Sequence, residues 1–290
     1  MEIVITGKNS FVGNYFISKY HTLNINEIDL LSQKPDEFSL SGISSVIHLA
    51  ALVHQMQGAP EKKYFEINSD LAFNIAKKAK DEGVSHFLFM STVKVYGEYT
   101  EKGYPWTEEF DCSPTDPYGK SKLEGEQRIK ALEDNNFKVS VIRTPLVYGP
   151  GVRANMYNLM KMINRYPVVP FGNINNKRSL TFVGNLCQLL HNIIEQKKSG
   201  IFLACDGEPV STSVLVKQIS IASLKKHNII AIPGIMQKSV KLLKPEIHRR
   251  IFGNLEVDNT ETCNMLGYIP EYSFESGIKE MVEWYKSSIK

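Results

Sequence analysis

Residues 1–16 read MEIVITGKNSFVGNYF, and the fold turns on what happens between Thr6 and Gly13. The run Ile3-Val4-Ile5 is apolar and β-branched, as a strand covered on both faces requires. It stops at Gly7, and beyond Ser10 apolar residues return at helical spacing. Strand, tight turn and helix start together aim backbone amides at a phosphate. A dinucleotide-binding turn wants glycine where the chain bends, where backbone nears the pyrophosphate, and where helix packs on strand. Gly7 and Gly13 fill the first and third places, while Ser10 holds the middle one.

The same alternation continues outward from that turn. A helix is expected over 12–20, a strand over 24–30, and a buried strand in SSVIHLAA. A helix over 61–82, the strand HFLFMST (86–92), a helix over 118–133 and the strand KVSVIRT (138–144) follow. Strands alternating with helices predict an α/β, Rossmann-like doubly wound parallel sheet. Past Pro150 the segments YPVVPFG, KRSLTFVGNL and GIFLACDGEPVSTS mix strand-like and helical pieces with denser turns. They predict a smaller C-terminal α/β lobe over the carboxyl edge of the sheet. The expected division gives residues 1–153 and about 177–205 to the nucleotide-binding domain, and about 154–176 and 206–290 to the substrate lobe.

Composition narrows the function classes. The chain has 290 residues, 42% hydrophobic and 22% charged, which suits a globular protein with a sizeable core. A formal net charge of +3 without an aromatic–basic stripe gives no support to nucleic-acid binding. Cys112, Cys187, Cys205 and Cys263 stand far apart with no CxxC pair, as expected of reduced cytoplasmic thiols and not of a zinc site. The first strand begins at the second residue, and no apolar run reaches membrane-spanning length. The expectation is therefore a cytoplasmic protein with no membrane partner and no metal. His48 and His54 follow an apolar run and read as packing or polar contacts, since no HxH or HExxH spacing supports a metal.

In such sheets ligands sit beyond the carboxyl ends of the strands, so residues just after each apolar run carry the chemistry. Those places hold Gly7, Asn9 and Ser10; then Asp29, a candidate partner for a ribose hydroxyl; then Leu49, Ala50 and Ala51; then Ser91 and Thr92. The helix beyond opens DPYGKSK and places Tyr118 and Lys122 four residues apart on one face. A tyrosine of pKa ~10 is a poor base at neutral pH, and lowering it about three units needs roughly 4 kcal/mol. An ammonium about 4 Å away at an effective dielectric near 20 supplies about that much. With a hydroxyl from Thr92 or Ser91 holding the substrate oxygen, the set suits proton transfer coupled to hydride transfer at a carbinol carbon. Alone, a tyrosine and a lysine at this spacing are ordinarily a solvated face. The preceding Ser91-Thr92 and the glycine turn reverse that reading. The cluster His248-Arg249-Arg250, with Lys238, Lys241 and Lys244, reads mainly as a solvated helix face that could bring Arg249 to a pyrophosphate.

The motifs TGKNSFVG, VIHLAA, STVKVYGE, DPYGKSK, RTPLVYGPG and RSLTFVGNL occur in order over most of the chain. In that register the sequence resembles the extended short-chain dehydrogenase/reductases, in the branch of NAD-dependent epimerase/dehydratases of nucleotide sugars. The resemblance implies NAD or NADP along Gly7, Asn9, Ser10, Phe11, Val12, Gly13, Asp29, Leu49, Ala50, Ala51, Asn68 and Lys122. It implies Tyr118, Lys122, Thr92 and Ser91 as catalytic residues. A UDP-sugar substrate would meet Thr92, Tyr118, Asn155, Arg178 and Arg249, and the enzyme would be a homodimer. The family turn is GxxGxxG where this one is GxxSxxG. Serine is a good N-cap whose hydroxyl can face the same amides or a phosphate oxygen, so the site reads as kept with one altered contact.

Related 4,6-dehydratases carry Asp-Glu after the catalytic hydroxyl residue, where this chain has Val93-Lys94, and dehydration is disfavoured. What remains is chemistry at carbon 4, and STVKVYGE with VYGPGVRAN and RSLTFVGNL resembles a bacterial surface-polysaccharide subgroup, a resemblance that implies reduction of a UDP-4-keto-6-deoxy-N-acetylhexosamine. The alternative is a UDP-hexose 4-epimerase of the UDP-glucose or UDP-N-acetylglucosamine type. A third reading, a non-catalytic NAD(P)-sensing regulator, needs neither the Tyr–Lys pair nor the arginine.

Overall fold

The protein is described by a computed structural model over residues 1–53, 59–224 and 227–289. Its first half runs β1 (Glu2–Thr6), α1 (Phe11–Lys19), β2 (Asn24–Ile28), β3 (Ser45–His48), α2 (Glu61–Phe65), α3 (Ala72–Asp81), β4 (His86–Thr92), α4 (Pro117–Lys130) and β5 (Lys138–Thr144). The helix expected over 61–82 is nearly continuous, because α2 passes into α3 through a π turn over Glu66–Leu71. The strand expected over 24–30 stops at Ile28, where Asp29 turns the chain. SSVIHLAA leaves the sheet after His48, which frees Leu49-Ala50-Ala51 as a loop.

The second half runs β6 (Leu146–Tyr148), α5 (Ala154–Arg165), β7 (Val168–Val169), β8 (Leu180–Phe182), α6 (Val183–Glu195), β9 (Gly200–Leu203), α7 (Thr212–Ser223), β10 (Asn228–Ile229), α8 (Gly234–Leu243), α9 (Pro245–Phe252), α10 (Thr260–Leu266) and α11 (Phe274–Ser288). Six strands form one parallel sheet in the order β2-β1-β3-β4-β5-β9. The strand order reverses between β1 and β3, and ligands of doubly wound sheets lie at that reversal.

Strand alternation divides the core between the two faces. Ile3, Ile5, Ile47, Leu88 and Ile142 point into one apolar layer with Phe16 of α1 and Leu186, Leu189 and Ile193 of α6. Val4, Val46, Phe87, Phe89, Val139 and Val141 point into the other, against Ile75 and Ala79 of α3 and Ile129 of α4. Because both faces are covered, the strands read as nearly unbroken apolar runs rather than alternating ones. A third cluster, including Tyr96, Trp106, Leu203, Leu255 and Val257, seals the sheet edge under the C-terminal segments.

Candidate functional site

The glycine turn is a close cradle. Gly7 has φ +96°, and a Cβ there would stand 2.9 Å from the Ala50 amide nitrogen. Its own amide donates to the Ile28 carbonyl at 3.1 Å, and the Leu49 amide donates to the Thr6 carbonyl at 3.0 Å. The ends of β1, β2 and β3 are thereby joined at backbone level. Ser10 is the N-cap of α1, its Oγ accepting from the Gly13 amide at 3.3 Å. A Cβ on Gly13 would lie 2.6 Å from that oxygen, so capping serine and third glycine are matched. The first backbone bond of α1 runs from Asn14 N to Ser10 O at 2.9 Å, and the earlier amides of Phe11 and Val12 precede the helical ladder. Asn9, at φ +59°, donates its amide to Glu27 at 3.1 Å. Asp29 follows directly on the strand end and accepts from the Leu31 amide through Oδ1 at 3.0 Å. A backbone cradle that no side chain could fill, beside open helix amides and a carboxylate, fits a dinucleotide.

Tyr118 and Lys122 lie on the first turns of α4. Asp116 caps that helix by accepting from the Gly119 amide at 2.6 Å, and Pro117 occupies the first helical position. A Cβ on Gly119 would meet the Lys94 carbonyl at 2.7 Å, which fixes α4 against the chain leaving β4. Tyr118 and Thr92 are hydrogen-bonded through their hydroxyls, and Tyr118 packs edge-on to Tyr64 at 6.4 Å between ring centroids. Burial pushes the Tyr118 hydroxyl up to about 12, with Thr92 opposing. Lys122 is 1% exposed, donates to the Met90 carbonyl at 2.8 Å and sits 4.5 Å from the Phe89 ring centre. Burial lowers it to about 7, while Glu126 one turn on pulls it upward. The expected lowering of the phenol by Lys122 is thus corrected: desolvation dominates both groups, and the carboxylate of Asp116 adds to the rise at Tyr118.

Ser91 is corrected as a site residue. Adjacent strand residues face opposite sides, so where Thr92 reaches Tyr118, Ser91 points inward and donates to Glu126 Oε1. Glu126 in turn pairs with Arg143, whose Nη2 lies 2.6 Å from Oε2, and Arg143 Nη1 donates to the Tyr96 hydroxyl at 2.7 Å. The two ionic groups are 4% and 5% exposed, so a paired ionic network underlies the β4–α4 junction. Sequence reasoning missed Glu126 and Arg143. The available signal was a carboxylate two turns after Tyr118 on an otherwise core-facing helix stripe.

Asn68 sits in the π turn and is fully buried. Its amide accepts from Leu52 N at 2.8 Å and donates to Leu52 O at 3.0 Å and to Ser121 Oγ at 3.1 Å. It therefore locks the loop carrying Ala50 and Ala51 to α4, and positions the cradle from behind. The two positions after Thr92 hold a buried valine, Val93, and a lysine, Lys94, that pairs with Asp116 and Glu98.

On the substrate side, Arg178 donates to the Gly253 carbonyl at 3.1 Å, and its backbone pairs with Val210 and Leu255. Burial and the nearby Arg250 depress its basicity. Arg249 is corrected: it lies exposed on α9, and the arginine near Arg178 is Arg250, one residue around the helix. Asn155 opens α5 and is exposed. His48 is a core residue, bonded to Thr6 Oγ1 at 2.8 Å and stacked by Phe87 and Phe89, as expected of a packing histidine. His54 lies outside the described residues. Among the described residues no cluster of His, Cys, Asp and Glu could hold a metal, and no helix is long and apolar enough to cross a membrane.

Comparison with known proteins agrees with this geometry. Residues 16–204 match the NAD dependent epimerase/dehydratase family. A UDP-glucose 4-epimerase of Vibrio cholerae is 35% identical, over 97% of this chain and 94% of its own length. An Escherichia coli O157:H7 4-epimerase of N-acetyl-α-D-glucosaminyl-diphospho-ditrans,octacis-undecaprenol is 26% identical over 68% of this chain and 60% of its own. The fold is shared with a UDP-glucuronic acid 4-epimerase from Bacillus cereus in complex with NAD, with TM-score 0.79, 20% identity and 100% coverage of both chains. It is shared equally with a UDP-N-acetylglucosamine 4-epimerase from Methanobrevibacter ruminantium, with TM-score 0.79 and 19% identity over 99% of this chain and 98% of that one. The chain is an enzyme, and it belongs to the NAD dependent epimerase/dehydratase family.

Proposed function

We propose that this enzyme transfers hydride between NAD and carbon 4 of a UDP-linked hexose, acting as a UDP-hexose 4-epimerase. The observation that carries the chemistry is the hydroxyl pair Tyr118–Thr92, placed at the carboxyl end of β4 beside the Gly7–Ala50 cradle. When bound along that cradle, NAD supplies the hydride acceptor and donor. The amides of Phe11 and Val12 would face its pyrophosphate, Asp29 its ribose, and the Asn68-held loop the wall behind it. Tyr118, a neutral phenol at pH 7, would give its proton to the carbon-4 oxygen of a ketosugar as hydride arrives there, and in the reverse direction the resulting phenolate would take the proton back from the carbon-4 hydroxyl as hydride leaves. Thr92 would hold that oxygen in line, and Lys122, one helical turn on, would meet the dinucleotide. Arg178 and Asn155 would meet the uridine diphosphate, with Arg250 beside Arg178. Residues 1–153 and about 177–205 would hold the nucleotide, and about 154–176 and 206–290 the sugar. A homodimer through the outer helices belongs to the same reading.

The full-length likeness to a UDP-glucose 4-epimerase favours epimerisation. The STVKVYGE run supports a second reading, one-way reduction of a UDP-4-keto-6-deoxy-N-acetylhexosamine. Mass analysis of the nucleotide that co-purifies, then incubation with UDP-glucose, UDP-N-acetylglucosamine and a UDP-4-ketosugar plus NADPH, decides between them. Retained NAD with sugar interconversion supports the epimerase, and stoichiometric NADPH consumption supports the reductase. Absence of hydride exchange with every sugar sinks both and leaves the sensing regulator.

A further inference from the structure

Helix α8 turns three large apolar side chains away from the protein. Ile235, Leu242 and Leu243 are 77%, 82% and 76% exposed. At 100° per residue, the half-buried Gln237 and Val240 mark the side of α8 turned toward the protein. Ile235 and Leu242, seven residues apart, lie together on the opposite pole, facing straight outward. Lys238 and Lys241 run along one side of that stripe, Leu243 lies on the other, and Lys244 closes the helix, all three lysines exposed. Over residues 234–252 five cationic side chains face one acid, Glu246. Scattered single apolar residues on a surface need no account, but a clustered outward stripe does.

An outward apolar stripe bordered by lysines is the pattern of a helix that lies in the headgroup layer of a bilayer. We propose that α8 docks this enzyme on an anionic phospholipid surface. Ile235, Leu242 and Leu243 enter the acyl boundary, and Lys238, Lys241 and Lys244 meet lipid phosphates. Charge selects this occupant, because five cations against one acid over residues 234–252 favour an anionic surface over a second, equally cationic copy of the same segment. Attachment is peripheral, since no described helix can span a membrane. The helix pair ends at Gly253, whose carbonyl holds Arg178, so docking would act on the substrate lobe directly.

The test uses the full chain and vesicles of equal parts phosphatidylglycerol and phosphatidylcholine in a co-sedimentation assay, with pure phosphatidylcholine as reference. The expected result is binding to the mixed vesicles that weakens as salt rises, and roughly tenfold or weaker binding to the neutral ones. The triple change Lys238→Gln, Lys241→Gln, Lys244→Gln should weaken binding by roughly 100-fold, at about fivefold per lysine. The triple change Ile235→Ser, Leu242→Ser, Leu243→Ser should weaken it by at least roughly tenfold. Circular dichroism is expected to stay unchanged in both, which separates lost docking from lost folding. Wild-type protein that stays in the supernatant, or a serine variant that sediments like wild type, overturns the proposal. So does light scattering in which the serine changes dissolve an oligomer while no vesicle binding exists, because the face is then a self-interface. None of these readouts involves the sugar, so failure here and failure of the epimerase reading are distinguishable.

Discussion

The two ends of one face of α4 treat charge in opposite ways. At one, Tyr118 and Lys122 are desolvated with incomplete compensation, the phenol pushed up to about 12 and the amine down to about 7. At the other, Glu126 and Arg143 are buried yet paired through several bonds, with Ser91 and Tyr96 taking remaining capacity. The difference teaches where this molecule carries strain. The network is a finished structure, whereas the Tyr–Lys end is a pair of groups whose ionisation a ligand can still move.

Several substitutions can break that contrast. Tyr118→Phe should reduce kcat by roughly 100-fold to 10,000-fold while leaving dinucleotide binding nearly intact, read by steady-state kinetics and nucleotide titration. Glu126→Ala leaves Arg143 buried without its partner and should cost about 3–5 kcal/mol of stability in denaturant unfolding. Lys122→Met should do the reverse: it removes a poorly solvated amine, raising Tm by a few degrees, while turnover falls at least roughly tenfold. A Lys122→Met protein that melts earlier than wild type would show the amine is better compensated than its surroundings indicate. At the small end, Ser91→Ala removes one bond to a carboxylate and should cost about 1–3 kcal/mol, with kcat close to wild type. Thr92→Val, its strand neighbour, should instead lower kcat with little change in stability. Equal kinetic losses at the two positions would erase the distinction between the two ends.

Acidification sharpens the comparison from the core. Burial lowers His48 to about 3 and His86 to about 4. Both are depressed below the ordinary value near 6.5, so the unfolded chain binds more protons in between. Their contribution to stability is present above about pH 6.5 and is lost as pH falls toward 4. Chemical denaturation across pH 4–7 should show this slope, and His86→Gln should flatten part of it.

Much of this was legible in the chain. The apolar runs fixed strand identity because a sheet covered on both faces tolerates few other patterns, and Gly7, Ser10 and Gly13 announced the cradle through turn chemistry. That Tyr118 and Lys122 share a face of α4 was readable from their spacing of four, whereas the meeting of Thr92 with Tyr118 comes from packing between elements. Ser91 was misassigned because two hydroxyls in a row cannot both face the cleft, and nothing local says which one does. Arg249 was misplaced for a similar reason, since one residue on a helix is a 100° turn and only packing sets its phase. The Glu126–Arg143 pair was invisible because its partners come from elements 17 residues apart that meet only after β4 and β5 align.

The stitching at Arg178 has an engineering consequence. Its main chain pairs with Val210 on one side and Leu255 on the other, joining three stretches far apart in sequence. A chimera that seeks new sugar preference by exchanging only the tail of the molecule would sever two of these seams. Any graft that keeps them must carry the neighbourhoods of Arg178, Val210 and Leu255 as one unit.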